Sequence, residues 1–223
     1  MSGKNAHSAP PQGEQPRLPV IPGIFDLSGD SPSMQEAPDL DACKALWDKY
    51  CMPAHIRDHC NQVALIVATL GAKTADLGAR ISRPVLLAGA LLHDLAKAYT
   101  IEYGGSHAQF GAAWVLRETK NFRVAQMVYH HMHWPWDVDI FNDAVLGPLL
   151  LVYADKRVKH DRIVGIEERF DDLFRRYGHT EASRLLIMES KEQGLRIERA
   201  LSERLGVTVS EYSFDCRRLV QRA

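Results

Sequence analysis

Histidine is the residue type whose distribution along this chain first indicates chemistry. Seven of the ten histidines fall between residues 55 and 133, about twice the number that an even spread would place there. These seven are His55, His59, His93, His107, His130, His131 and His133. Imidazole nitrogens combined with carboxylate oxygens are the ligands typical of transition-metal sites. The clustering therefore predicts a metal centre built from this part of the chain.

The dipeptide His93-Asp94 is the sharpest candidate in this region, because it interrupts a segment that is otherwise apolar, residues 88–97. Burying an imidazole and a carboxylate costs several kcal/mol unless something satisfies them. A metal ion would satisfy both groups, and a buried structural hydrogen-bond or ion pair is the alternative. His59 and Asp155 also lie within apolar segments of helical periodicity. This shared context strengthens the interpretation of His93-Asp94 as part of a metal site.

Helices must position these residues, because apolar side chains recur at three- and four-residue steps from residue 39 onward. Helices are predicted over residues 40–50, from Pro53 past Leu70, from Ser82 and Pro84 through Lys97, from His107 to about Glu118, from Phe122 to His131, and over 142–160, 163–177 and 180–205. Only Val207–Phe214 suggests a strand, and weakly. The sequence thus predicts an all-α fold.

The chain divides by composition into three predicted parts. Residues 1–38 hold seven of the eleven prolines, and such a stretch neither propagates a helix nor builds a core. We interpret it as a flexible Pro-rich arm, with wrapping of residues 18–25 around the domain as the alternative. Residues 39–177 are predicted to form the main helical domain, and residues 178–223 a C-terminal helical extension.

Charge and cysteine content exclude several classes of partner. The net charge is −1 and the pI is about 6.8, so we expect neither a nucleic acid nor an anionic membrane as a partner. No apolar run reaches the length of about 18 residues that a transmembrane helix needs. The four cysteines form no CxxC pair and the N-terminus has no secretory pattern. Reduced thiols and a cytoplasmic location are the expectation.

Three segments of the chain resemble the HD superfamily of metal-dependent phosphohydrolases. They are His59-Cys-Asn-Gln-Val63-Ala64, Leu91-Leu-His93-Asp94-Leu-Ala-Lys97 and Tyr153-Ala-Asp155-Lys156, which match the ordered H…HD…D ligand set of that family. The resemblance spans about residues 52–160. It implies an HD-domain helical bundle and hydrolysis of a phosphate ester or phosphoanhydride. The expected partner is a phosphorylated small molecule, with nucleotides among the candidates.

The same resemblance implies a cofactor of one or two divalent metal ions, with Fe, Mn, Ni, Co, Zn and Mg as candidates. The first ion would be held by His59, His93, Asp94 and Asp155. Dinuclear members of the family carry further histidines between the His-Asp pair and the last Asp. His107 and His130 occupy such places here, and His131 is the less favoured alternative to His130.

A catalytic scheme follows from these expectations. A metal ion lowers the pKa of bound water toward neutrality, so water would be the nucleophile and no Ser or Cys is needed. By the resemblance, Asp94 would bridge two ions. Lys97 lies one helical turn beyond the pair and would neutralise charge that develops in the transition state. We therefore expect Asp94 and Lys97 to be the catalytic residues.

Other interpretations stay open at this level. The chain could be a non-catalytic nucleotide sensor that retains the metal cage, or the metal could only staple the helices together. Trp134 and Trp136 could stack on a base, although a packed loop is the commoner outcome. The charged run from Glu167 to Arg176 is expected to be a solvated helix face, and His133 a loop residue near the mouth of the site.

Overall fold

The computed structural model describes residues 36–135 and 138–211, and within them the predicted all-α fold is confirmed. The elements are α1 (Leu40–Lys49), α2 (Ala54–Asp76), α3 (Arg83–Leu92), α4 (Lys97–Tyr103), α5 (His107–Thr119), α6 (Phe122–Tyr129), α7 (Asp143–Asp155), β1 (Val158–Lys159), β2 (Arg162–Ile163), α8 (Ile166–Tyr177), α9 (Glu181–Leu205) and a short 3-10 helix (Val209–Glu211). The predicted arm lies almost wholly outside the described residues. The predicted domain boundaries stay predictions.

Helix α2 forms the centre of the bundle. Pro53 precedes its first turn, where a missing N–H costs nothing. The predicted apolar stripe is fully buried, including Val63, Ile66 and Val67, and α2 packs against α3 and α7. Each such side chain contributes roughly 1.5–3 kcal/mol by leaving water. This burial fixes the helix that carries His59.

Helix α3 ends at Leu92, so the prediction of one helix through Lys97 was wrong. Residues 93–96 form a turn, in which the Lys97 amide donates to the Asp94 carbonyl at 2.9 Å. The His93 ring donates from Nδ1 to the Ala90 carbonyl at 2.8 Å, the acceptor that a continuing helix would use. Successive side chains of a regular helix diverge by about 100°. Both side chains nevertheless border one centre, with Asp94 Oδ2 3.6 Å from His93 Nε2.

Helices α3 and α6 approach closely because Gly89 has no side chain. A Cβ atom at Gly89 would lie 2.6 Å from the Met127 Cβ atom, which is far inside van der Waals contact. This approach brings the His93 and His131 rings to a centroid separation of 5.1 Å. A glycine in the core thereby sets the spacing of two candidate ligands.

Helix α7 ends at Asp155, so the prediction of a helix over residues 142–160 was also wrong. The chain turns into an antiparallel hairpin, in which Val158 pairs with Ile163. His160 adopts φ of 58° at the tip, and Arg157 donates from Nε to the Val164 carbonyl at 2.7 Å. The hairpin is stabilised by contacts that helical periodicity does not reveal.

The helices predicted over residues 163–177 and 180–205 are present as α8 and α9. They pack together, and α9 also contacts α7, where the Tyr153 hydroxyl donates to Glu198 at 2.7 Å. The weakly predicted strand from residue 207 was wrong for the described part, because Val209–Glu211 is a 3-10 helix. Cys43, Cys51 and Cys60 are free thiols. Over residues 36–135 and 138–211, every helix is too short or too polar to cross a membrane.

Candidate metal centre

Six of the predicted ligands converge in space, although 96 positions separate His59 from Asp155. They form two groups, in each of which the ligand atoms lie within 4.8 Å of one another. The first group is His59, His93 and Asp155, and the second is Asp94, His107 and His131. Helices α2, α5 and α7 and the ends of α3 and α6 supply them.

His59 is held so that its Nε2 atom faces a carboxylate. Its Nδ1 atom lies 3.1 Å from the His160 carbonyl oxygen. A carbonyl can only accept, so Nδ1 carries the hydrogen. Nε2 lies 3.1 Å from Asp155 Oδ1, and a neutral ring has no second hydrogen to donate. A proton or a metal ion must therefore balance this contact.

His93 presents the clearest unsatisfied ligand atom. Its side chain is fully buried, and its Nδ1 atom donates to the Ala90 carbonyl. Its Nε2 atom has no hydrogen-bond partner among the described residues. Buried polar atoms are rarely left unpaired, because an unmade hydrogen bond costs roughly 1–3 kcal/mol. A cation between this nitrogen and the nearby carboxylates would remove that cost.

Asp94 lies between the two groups and faces both. Its Oδ2 atom lies 3.6 Å from His93 Nε2 and 3.9 Å from His59 Nε2. Its Oδ1 atom lies 3.4 Å from His107 Nε2 and 3.9 Å from His131 Nε2. One oxygen thus points to each group, which is the arrangement that a bridging carboxylate needs.

The second group repeats the pattern of oriented imidazoles. The buried His131 ring donates from Nδ1 to the Val128 carbonyl at 2.6 Å, which leaves its Nε2 atom with a lone pair. The distance from His131 Nε2 to His107 Nε2 is 3.1 Å. A proton on His107 can bridge these nitrogens, and a metal ion can replace it. Carbonyl partners of this kind orient metal-binding histidines in proteins.

His130 belongs to neither group, although it was favoured over His131. Helix α6 ends at Tyr129, and the His130 ring lies against Tyr129 and Trp134, at centroid distances of 4.9 and 5.3 Å. Adjacent residues point in different directions here, and the end of α6 directs His131 inward. The structure therefore brings His131 to the site in place of His130.

The protonation states suit metal binding. Burial lowers the pKa of His93 and of His107, and it lowers the pKa of His131 to about 3. Burial alone would raise the pKa of Asp94 and Asp155. The cations Lys97 and Lys156 and the surrounding imidazoles outweigh burial and hold both carboxyl pKa values well below their usual range. Neutral imidazoles beside ionised carboxylates can bind a cation without first losing protons.

The donor set fits one or two divalent ions of the first transition series. Each group combines two imidazole nitrogens with a carboxylate, a mixture typical of Fe, Mn, Co, Ni and Zn sites. The unpaired Nε2 atom of His93 is the structural observation that supports this fit. His59, His93 and Asp155 would hold one ion, and Asp94, His107 and His131 a second.

The two groups open into a cleft of about 650 Å³, a size typical of small-molecule sites. Lys97 lies at its edge, and its ammonium group contacts Asp94 Oδ2 at 2.6 Å. Burial would lower the pKa of Lys97, but Asp94 and Asp155 outweigh it and raise that pKa. Lys97 thus stays charged beside the candidate ligands.

Two buried cations of the cleft were not predicted from the sequence. Arg169 is 7% exposed and lines the cleft, so the prediction of a wholly solvated face was wrong at this position. Its spacing from Ile166 and Leu173 places it on the apolar side of α8, which is a signal that the sequence did contain. Lys156 is also buried in the cleft wall, directly after Asp155.

The remaining candidates divide between the cleft and the core. His55 and His133 line the cleft, as expected for His133. Trp134 is buried, and its backbone amide donates to Gln193 Oε1 at 3.1 Å. It is therefore part of a packed loop rather than a platform for a base. Trp136 lies outside the described residues.

Comparison with protein-family models gives a match that covers the candidate site. Residues 56–164 match the family model described as HD domain, and this range contains every residue of the two groups. No curated protein and no solved structure matches the chain.

Proposed function

This chain is an HD-domain protein, and on that premise we propose that it is a metal-dependent phosphohydrolase. It would cleave a phosphate ester or phosphoanhydride of a nucleotide or small metabolite, with water as the nucleophile. Two divalent ions would occupy the two ligand groups. The single observation that carries this proposal is the convergence of oriented Nε2 atoms on Asp94, with His93 Nε2 left unpaired by the described residues.

Bound divalent ions would lower the pKa of a water molecule toward neutrality and offset charge on the phosphoryl oxygens. Backbone carbonyl groups of the chain orient the histidine ligands, and its carboxylates supply the negative charge that the ions need. The carbonyl oxygens of Ala90, Val128 and His160 fix the ring orientations of three histidines. Asp94 keeps its charge at neutral pH and faces both groups.

Lys97 is proposed to act on the substrate directly. Its side chain is 30% exposed and its ammonium group lies at the border between Asp94 and the cleft. From there it can donate a hydrogen bond to a phosphoryl oxygen. Charge that develops on this oxygen during P–O cleavage would be stabilised by the fixed cation beside it.

The open cleft favours catalysis over a purely structural role for the metal. A structural site is closed by protein ligands and needs no cavity beside it. Here the ligand groups form one wall of a large cleft, and further cations line that cleft. These features suit a phosphorylated molecule approaching the ions.

Metal analysis combined with a turnover screen tests the proposal. The purified full chain would be equilibrated with Mn, Fe, Co, Ni or Mg, assayed for bound metal, and offered phosphorylated metabolites while phosphate release is measured. We expect bound metal and metal-dependent phosphate release. Binding of metal and nucleotide without phosphate release would indicate a sensor instead of an enzyme. Absence of bound metal would refute the proposal.

A further inference from the structure

A second set of charged residues lies in the cleft beyond the candidate ligands. Lys156 follows α7, and Arg169 and Arg176 belong to α8. All three line the cleft. Lys156 and Arg169 are only 5% and 7% exposed, and cations are almost never buried unless they are paired. The partners of Lys156 and Arg169 within the chain therefore show whether these cations have capacity left to bind a ligand.

The chain itself only partly satisfies Arg169. Its Nη1 atom lies 3.7 Å from Asp172 Oδ2, beyond hydrogen-bond distance, and Arg176 shares that carboxylate at 3.5 Å. The buried Nε atom of Arg169 has no hydrogen-bond partner in the described part of the chain. A guanidinium group offers five donors. The described part of the chain therefore leaves the donors of Arg169 incompletely satisfied, on a side chain that lines the cleft.

Lys156 contacts the candidate metal ligand Asp155 from the side opposite to His59. Its Nζ atom lies 3.4 Å from Asp155 Oδ2, whereas His59 faces Oδ1. A carboxylate that is bound to a metal ion compensates a neighbouring ammonium less well. Lys156 would then need a further anion close to the ions.

We propose that Lys156 and Arg169 form a subsite for a second phosphate group, joined through an anhydride to the phosphate that is cleaved. This inference rests on the proposed function and names its preferred substrates as phosphoanhydrides, such as nucleoside diphosphates, rather than monoesters. A monoester offers a single phosphate, which the ions and Lys97 would take. The second phosphate would supply acceptors beyond those that the described part of the chain offers to Lys156 and Arg169.

The chemistry and position of Arg169 support this assignment. Arginine binds phosphate oxygens through two parallel hydrogen bonds, which are stronger than neutral ones. Arg169 also lies beyond residues 56–164, the range that matches the family model. The Arg169 half of the subsite therefore belongs to α8, outside the matched range, and Phe170 and Leu173 of the same helix continue the cleft as an apolar wall.

Calorimetric titration of the Mn²⁺-loaded full chain with orthophosphate and with pyrophosphate tests the subsite. Metal content and free orthophosphate are measured before and after titration, so that extraction of Mn²⁺ by pyrophosphate and hydrolysis of pyrophosphate are both recognised. We expect the parent chain to bind pyrophosphate at least about tenfold more tightly than orthophosphate. Arg169→Gln should lower pyrophosphate affinity by about tenfold or more and change orthophosphate affinity by less than about threefold.

Arg175→Gln is the matched control, because Arg175 is exposed on the same helix and is not part of the cleft wall. It should bind both anions as the parent chain does. Lys156→Met retains most of the aliphatic stem and should show the same selective loss, which provides a second test if Arg169→Gln does not fold. Unchanged pyrophosphate affinity in either folded variant would overturn the subsite, as would an equal loss for both anions. Absence of bound Mn²⁺ in the parent chain would instead refute the proposed function.

Discussion

Replacing His131 and His130 in turn by alanine should separate a metal ligand from its immediate neighbour. The two residues are adjacent, yet only His131 belongs to the group with Asp94 and His107. His130 instead lies against Trp134, at a ring separation of 5.3 Å. Both variants remove the same imidazole from the same segment, so each serves as the control for the other.

The expected magnitude follows from the ligand count. His131→Ala removes one of the three ligand atoms of its group and leaves His59, His93 and Asp155 intact. Loss of a residue that merely orients a ligand lowers metal affinity or activity about 10–100-fold, so loss of the ligand itself should reach at least about 100-fold. This factor corresponds to about 2.8 kcal/mol of binding free energy.

Metal content per chain after equilibration with Mn²⁺ and gel filtration is the assay, with phosphate release measured in parallel. The parent chain and His130→Ala should each retain two ions, and His131→Ala should retain one and lose hydrolysis. Thermal unfolding of both variants checks that each is folded. Equal metal loss in the two variants, or two ions retained by His131→Ala, would refute the assignment of the second group.

Three further predictions follow from the same structure. Lys97→Met should keep the metal content and lower turnover about 100-fold, because one donor to the developing phosphoryl charge is lost; unchanged turnover would exclude Lys97 from catalysis. Gly89→Ala should destabilise the fold by roughly 1–3 kcal/mol, because its Cβ would overlap Met127, and thermal unfolding should show a fall of about 2–12 °C. Gly165→Ala is the control, since a Cβ there meets nothing within 4 Å, and an equal fall in both variants would contradict the packing argument. Removing metal with a chelator should lower the unfolding free energy by about 2.7 kcal/mol relative to the chain at 100 times its metal Kd, a shift of about 5–11 °C; an unchanged midpoint would mean that no ion stabilises the fold.

Much of the fold and of the ligand set could be predicted from sequence, because polar residues within apolar helices are costly. His93 and Asp155 follow the buried runs 88–92 and 146–154, and His59 lies on the buried face of α2, so their polarity contrasts with apolar neighbours that are visible in the sequence. The apolar stripe of α2 was equally predictable, since helical periodicity reports directly which face is buried.

The remaining features depend on tertiary contacts that periodicity does not encode. The turn after Leu92 and the hairpin after Arg157 end two helices where the local pattern continues. The choice between His130 and His131 depends on where α6 ends, and a shift of one residue reverses it. Helix ends are set by caps and side-chain contacts, so they are the least predictable part of an element.

Anomalous diffraction from crystals of the metal-loaded chain, recorded on both sides of the absorption edge of the bound metal, would locate each bound ion. We expect one anomalous peak among His59, His93 and Asp155 and another among Asp94, His107 and His131. Peaks that lie elsewhere, or no peak at these six residues in a chain with measured bound metal, would contradict this assignment of the ligands.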